Sequence, residues 1–254
     1  MYPPVGNSAS SPPSASPGYV LVKAPSTKPT ITNTLVGITI LIFLGQLIGE
    51  YLLGGDYLAS LGMKVNDLIV NGQLWRLITP VFLHGSIMHV AFNMYALYAL
   101  GPGLERNYGH SRFLALYLLA GFAGNVISFW FSSAYSLGSS TAIFGLLGAE
   151  GIFLYRNKSL FGATAQRALV NVVVIAAINL VIGLSPGIDN WGHIGGLVAG
   201  TAFAWLAGPI YRVEGIDLRP VLVDEREGSD ALRAGIGIGG IFALLAALKI
   251  FLHT

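Results

Sequence analysis

Cysteine is absent from the 254 residues, which excludes disulfides, thiolate metal sites and cysteine catalysis and leaves the redox compartment open. Charge is scarce as well. Asp, Glu, Lys and Arg together make up 10% of the chain, and the formal net charge is only +2. No basic cluster or aromatic-basic platform is present, so nucleic acid is not an expected partner. What fills the chain instead is apolar: 54% hydrophobic residues and a mean hydropathy of +0.67. That is too apolar for an ordinary soluble domain and indicates an integral membrane protein in contact with the lipid bilayer.

Residues 1–33 are rich in Pro, Ser and Gly (Pro3, Pro4, Ser8, Pro17, Gly18) and show no hydrophobic periodicity, so a disordered tail is expected there. The first apolar run begins only after Asn33, and no secretory leader is expected. Seven helical spans follow: Thr34 to Leu53, Ser86 to Gly101, Phe113 to Phe131, Thr141 to Tyr155, Ala168 to Gly183, Trp191 to Ala207 and Ala234 to Leu252. The expected fold is all-α and polytopic, with a six-helix unit over 34–208, a linker over 209–233 and a seventh helix over 234–254. Several spans fall short of the roughly 20 residues that a lipid-exposed helix needs. Such helices suit a protein whose reactive end lies below the surface under a water-filled dip.

Loop charges suggest an orientation. Lys23, Lys28, Arg106, Arg112, Arg156, Lys158, Arg167, Arg212, Arg219, Arg226 and Arg233 fall on one side of the seven-span arrangement, and only Lys64, Arg76 and Lys249 fall on the other. Cytoplasmic loops carry the Lys/Arg excess, so the N-terminus is expected inside and the C-terminus outside. Spans two, four and six then all start at the outer face. His89, Ser140 and His193 lie within about the first turn of those three spans, so one depth gathers the candidate reactive groups. Polar side chains at bilayer depth are expensive and usually functional.

Spans four and six also carry the means to approach one another. Gly192, Gly196 and Gly200 recur every four residues on span six, and span four offers Gly145, Gly148 and Ala149. Small residues at this spacing let membrane helices pack almost backbone to backbone. Glycine strips are also ordinary helix packing; it is the polar residues at their outer ends that give this pair a chemical reading, with the Ser140 hydroxyl brought within reach of the His193 ring. His89 and Asn93, four apart on one helix face, are hydrogen-bond donors that can either satisfy loop carbonyls or, with the Ser140 backbone N–H, surround an oxyanion. His84 reads as a structural histidine near the loop. Asp189, four residues before His193, reads as a helix N-cap rather than an acid that orients the ring.

Between about Leu74 and Ala207 the chain resembles the rhomboid family of intramembrane serine proteases. The resemblance rests on Trp75-Arg76, the stretch from His84 to Asn93, Gly101 to Gly109 with Glu105, Gly138-Ser139-Ser140-Thr141-Ala142-Ile143-Phe144-Gly145, and Asp189 to Gly196. It implies a six-helix core with Ser140 as nucleophile, His193 as general base and His89 and Asn93 as oxyanion donors. It also implies an aromatic ring at Phe144 against the histidine, and in many members an extra C-terminal helix. Gly138, Trp75 and Arg76 are expected in supporting roles. The expected substrates are other membrane proteins whose transmembrane segment enters sideways, and the bacterial cell membrane is the expected location, with an organelle membrane as the alternative.

One residue departs from the family pattern, since Thr141 stands where the family usually has a glycine after the serine. Threonine adopts helical dihedrals, so an active enzyme is expected. The reading is a Ser-His dyad acting through an acyl-enzyme with no metal or cofactor, and with activity falling at acidic pH because the base must be neutral. A non-catalytic rhomboid-like protein that binds membrane helices is the alternative. Glu150, ten residues past Ser140, reads as an inward-facing structural carboxyl, and the loop from Gly54 to Phe82 as a segment lying in the membrane interface. The short Gly183 to Asn190 loop is a candidate cap over the site.

Overall fold

The computed structural model of the protein describes residues 27–215 and 220–253. Most of the Pro- and Ser-rich tail, with Lys23, lies outside the described residues, as does Arg219. Nine α-helices are described: α1 Thr30–Leu53, α2 Tyr57–Gly62, α3 Asn66–Val70, α4 Ile87–Tyr108, α5 His110–Phe131, α6 Ser140–Arg156, α7 Lys158–Ile182, α8 Asn190–Ala207 and α9 Gly228–Phe251. Two 3-10 turns, Leu74–Leu77 and Thr79–Phe82, lie between α3 and α4.

Four of these helices, α1, α5, α7 and α9, are long and apolar enough to cross a membrane. Helices α4, α6 and α8 fall short of that measure in length or apolarity. They carry the glycines and the polar residues, and at 17 and 18 residues α6 and α8 are about 26–27 Å long against a hydrocarbon layer of about 30 Å.

The core centres on α5, whose Phe113, Leu116, Tyr117, Ala120 and Ala123 are completely buried. Helices α6 and α8 pack against α5 and against each other, α9 lies along α5 and α8, and α1 lies along α4. Glycine makes the central crossing possible: a Cβ added at Gly196 would overlap the Thr141 carbonyl, and one at Gly200 the Gly145 backbone. The absence of side chains at these positions lets the two backbones touch.

Two boundaries differ most from those read in the sequence. Helix α4 continues through Gly101-Pro102-Gly103 to Tyr108, because its continuation delivers the buried Glu105 to the start of α1. There the carboxylate accepts from Ile31 N at 2.7 Å, Thr32 N at 2.8 Å and Thr32 Oγ1 at 2.7 Å, satisfying amides that the first turn of a helix leaves unpaired. Helix α7 starts ten residues before the expected Ala168 and is bent at Gly162, whose φ of 54° and ψ of −136° no helix contains.

The stretch after α8 is more than a linker, and it departs from a wholly helical architecture. Strands β1 Tyr211–Glu214 and β2 Val221–Asp224 pair antiparallel, with Tyr211 opposite Asp224. Valine and tyrosine favour the extended backbone, and polar contacts fix the hairpin to the helix ends. Arg112 Nη1 meets Asp224 Oδ2 at 2.5 Å, Tyr211 N donates to Asn157 Oδ1 at 2.8 Å, and Tyr211 Oη donates to Asn107 O at 2.8 Å.

Candidate active site

Helices α4, α6 and α8 each begin with a polar residue of interest in the first turn. Ser86 caps α4 by accepting from His89 N at 3.1 Å, and Asp189 caps α8 by accepting from Gly192 N at 3.0 Å, as its position in the sequence suggests. Ser140 is the first residue of α6. Its Oγ lies 3.0 Å from His193 Nε2, a hydrogen-bonding distance. Phe144, one turn further along α6, stacks on the His193 ring with centroids 4.2 Å apart and planes 12° from parallel. His193 is buried and Ser140 half-buried, so the pair is shielded but reachable.

Gly138 shapes the approach to Ser140. Its φ of +128° lies in the region that favours glycine, and a Cβ added there would lie 2.7 Å from His89 Nε2 and 3.8 Å from Ser140 Oγ. His89 and Ser140 therefore face the same small space. Asn93 is buried one turn further along α4, and its amide donates to His89 O at 2.9 Å. One of its two N–H donors thus satisfies a helix carbonyl, and the other is free of that bond.

Ser139 differs from its neighbour. It is buried, and its hydroxyl meets His84 Nε2 at 3.3 Å. His84 is itself held by Gln46 of α1, whose Oε1 accepts from His84 N at 3.0 Å and whose Nε2 donates to His84 O at 3.1 Å. Burial, reinforced by the neighbouring His89, pushes the His84 imidazole down to about 3, so at neutral pH it is an uncharged group in this scaffold.

Trp75 and Arg76 shape the loop rather than meet the serine. Trp75 Nε1 donates to Leu61 O at 3.0 Å. The buried Arg76 donates to Met63 O at 2.7 Å, Ser60 O at 2.8 Å and Gln73 Oε1 at 2.7 Å, tying α2 to the turns that follow it. Leu58, Leu61, Leu74 and Trp75 are exposed beside this anchor, as suits an interfacial segment. The loop from Leu184 to Ile188 is exposed just before the start of α8. Glu150 is half-buried on α6.

Thr141 fits through reciprocal smallness. A Cβ on Gly124 of α5 would meet its Cβ at 2.6 Å, and one on Gly192 of α8 would meet its Cγ2 at 2.9 Å. The threonine side chain occupies a seat that two other helices leave open. Among the described residues, no three His, Asp or Glu side chains gather as a group able to hold a metal ion. A groove of about 730 Å³ between α3 and the ends of α5 and α9, bordered by Asn66, Trp130 and Lys249, includes none of His89, Asn93, Ser140 and His193.

Two residues of this region escape the sequence reading, Lys64 and Ser128, which are buried beneath the α8 cap. The one sequence signal for the first is a solitary lysine inside the apolar run Leu61-Gly62-Met63-Lys64-Val65.

Comparison with known proteins agrees with the motif reading. The Rhomboid domain model matches residues 71–210. Rhomboid protease GluP of Bacillus subtilis (strain 168) is 44% identical over 174 residues, covering 68% of this chain and 34% of its own length. Two Arabidopsis thaliana proteins are also similar. RHOMBOID-like protein 9, chloroplastic, is 33% identical over 60% of this chain and 35% of its own, and RHOMBOID-like protein 6, mitochondrial, is 38% identical over 59% and 49%. The chain spans about a third to a half of the length of these curated relatives.

Proposed function

Because the chain belongs to the rhomboid family, which includes a protease among its relatives, we propose that it is an intramembrane serine protease that cleaves transmembrane segments of other membrane proteins. The observation that carries this reading is the 3.0 Å approach of His193 Nε2 to Ser140 Oγ with the ring stacked on Phe144. His193 Nε2 takes the Ser140 proton as Oγ attacks the scissile carbonyl carbon. The negative oxygen is met by His89, by the free N–H of Asn93 and by the Ser140 backbone N–H. The peptide C–N bond then breaks, His193 returns the proton to the departing amine, and Ser140 is left as an ester. Water, deprotonated by His193, attacks that ester and releases the second fragment with Ser140 restored. The base works only when neutral, so the rate falls as acid protonates His193.

A helical peptide bond is shielded by its own hydrogen bonds, so the cut segment must first unwind. Small or helix-weakening residues near the scissile bond favour that step. In this reading all seven helices of 17 or more residues cross the bilayer, residues 34–208 form the protease unit and 234–254 the additional span. The excess of Lys and Arg on one side supports an N-terminus in the cytoplasm. The deciding experiment reconstitutes the full chain in liposomes with a model transmembrane substrate. Cleavage by wild type and none by Ser140→Ala is expected. Binding of the substrate without any cleavage would instead support the alternative, a helix-binding rhomboid-like protein.

A further inference from the structure

Lys64 lies between α2 and α3 and is completely buried. A buried ammonium is tolerated only when its donors are used, and all three find acceptors here. Its Nζ donates to Ser128 Oγ at 2.9 Å, Ser132 O at 2.9 Å and Ser128 O at 3.3 Å. The Ser128 hydroxyl in turn donates to Asp189 Oδ2 at 2.5 Å. Asp189 uses its other carboxylate oxygen to cap α8 at Gly192 N, and its carbonyl accepts from His193 N at 3.2 Å. The side chain of Lys64 thus reaches, through one hydroxyl, the residue that starts the helix bearing His193.

The main chain of Lys64 holds the other half of the pair. Lys64 N donates to Ser136 O at 2.8 Å and Ser136 N donates back to Lys64 O at 3.3 Å, an isolated two-bond bridge onto the segment that runs into Ser140. One residue therefore grips both approaches to the site, by backbone on the serine side and by side chain on the histidine side. Meanwhile no described protein group hydrogen-bonds His193 Nδ1, the atom that an acid orients in Ser-His-Asp triads. The aim of the ring is left to the Phe144 stack and to where α8 begins.

We propose that Lys64, Ser128 and Asp189 are positioning residues that set the spacing and aim of the Ser140–His193 pair in place of an acid bonded to the imidazole. The proposal rests on the protease reading. None of the three touches the reacting atoms; they act by fixing the first turn of α8 against the segment that delivers Ser140. A misplacement of about 1 Å in such a pair lowers turnover by about 10²-fold.

The test uses the full chain in detergent with Ser128→Ala, Lys64→Met, Asp189→Asn and the Lys64→Met/Asp189→Asn double variant. Two properties are read: the rate of labelling by a fluorophosphonate together with kcat and KM on a transmembrane substrate, and amide exchange by mass spectrometry. Ser128→Ala, a small change that keeps the protein folded if Lys64→Met does not, is expected to lower labelling and kcat by about 10–100-fold while KM stays within about twofold. Exchange should rise in peptides 133–141 and 186–196 and nowhere else. The double variant should lose little more than the worse single variant, since both break one relay. Labelling at the wild-type rate with unchanged exchange in Ser128→Ala would overturn the proposal, as would exchange raised evenly across all helices. A wild type that does not label, while Ser128→Ala still loosens both peptides, would instead sink the protease reading and leave the mechanical link between the two segments standing.

Discussion

Helix α6 buries eleven of its 17 residues, whereas α7, the next helix and 25 residues long, buries only Ala165. The difference separates two uses of apolar sequence. Along α7 the valines and isoleucines at 170, 173, 174, 175, 178, 181 and 182 face outward, as expected of a helix whose solvent is lipid. In α6 the apolar residues are small or tightly fitted, and the helix is crossed so closely by α8 that glycine is required at the contacts. A helix apolar enough to cross a membrane can therefore contribute almost nothing to the core, and the reactive residues stand at the ends of helices that fall short of that measure.

Substitutions at the α6–α8 crossing and on α7 test that contrast most strongly. Gly196→Val puts a side chain into the Thr141 carbonyl, and because the obstacle is backbone the loss should exceed the ~1–3 kcal/mol typical of overpacking. Val174→Ala on α7, at a half-exposed position, should change stability by no more than ~0.5 kcal/mol. Thermal unfolding in one detergent measures both, and equal losses would break the comparison. Next in size, His89→Ala and Asn93→Ala should each lower kcat by about one to three orders of magnitude with the fold intact, because each removes a donor whose benefit grows as charge develops. Changes confined to KM would mark them as binding or structural groups.

Thr141→Gly sharpens the account of the α5–α6–α8 crossing. Emptying the seat beside Gly124 and Gly192 should cost about 1–2 kcal/mol of stability, while probe labelling stays within about tenfold of wild type, roughly 1.4 kcal/mol of barrier. A pH dependence is also expected at Lys64. Burial lowers this ammonium from 10.5 to about 8, with the charge of Asp189 opposing the shift. Between those two values the unfolded chain holds a proton that the folded chain has released, so this group makes stability rise with pH across that window. Lys64→Met should flatten the rise, as chemical denaturation at stepped pH would show.

Much of this arrangement is legible in the sequence because it is written in local signals. Asp189 before an apolar run announces a helix start, the four-residue glycine repeat announces a close crossing, and the matched motifs single out Phe144, which does stack on His193. What escapes is whatever depends on partners distant in sequence. Gly101-Pro102-Gly103 reads as a break, yet the helix continues because Glu105 is needed at α1, more than seventy residues away. The hairpin of Tyr211–Glu214 and Val221–Asp224 is too short to stand out and relies on Arg112, Asn107 and Asn157 for its place. Lys64 counts as one more loop cation until its three acceptors are seen on α5 and the segment after it.

The central claim is that Ser140 is a nucleophile activated by His193. It is tested most directly by treating the purified full chain with a fluorophosphonate and locating the adduct by mass spectrometry. The account predicts one adduct on Ser140 in wild type, none in Ser140→Ala or His193→Ala, and most of the wild-type labelling in Ser139→Ala, whose hydroxyl is engaged with His84. An adduct that survives Ser140→Ala or sits on Ser139 would contradict it, and so would a wild type that stays silent while Thr141→Gly labels strongly.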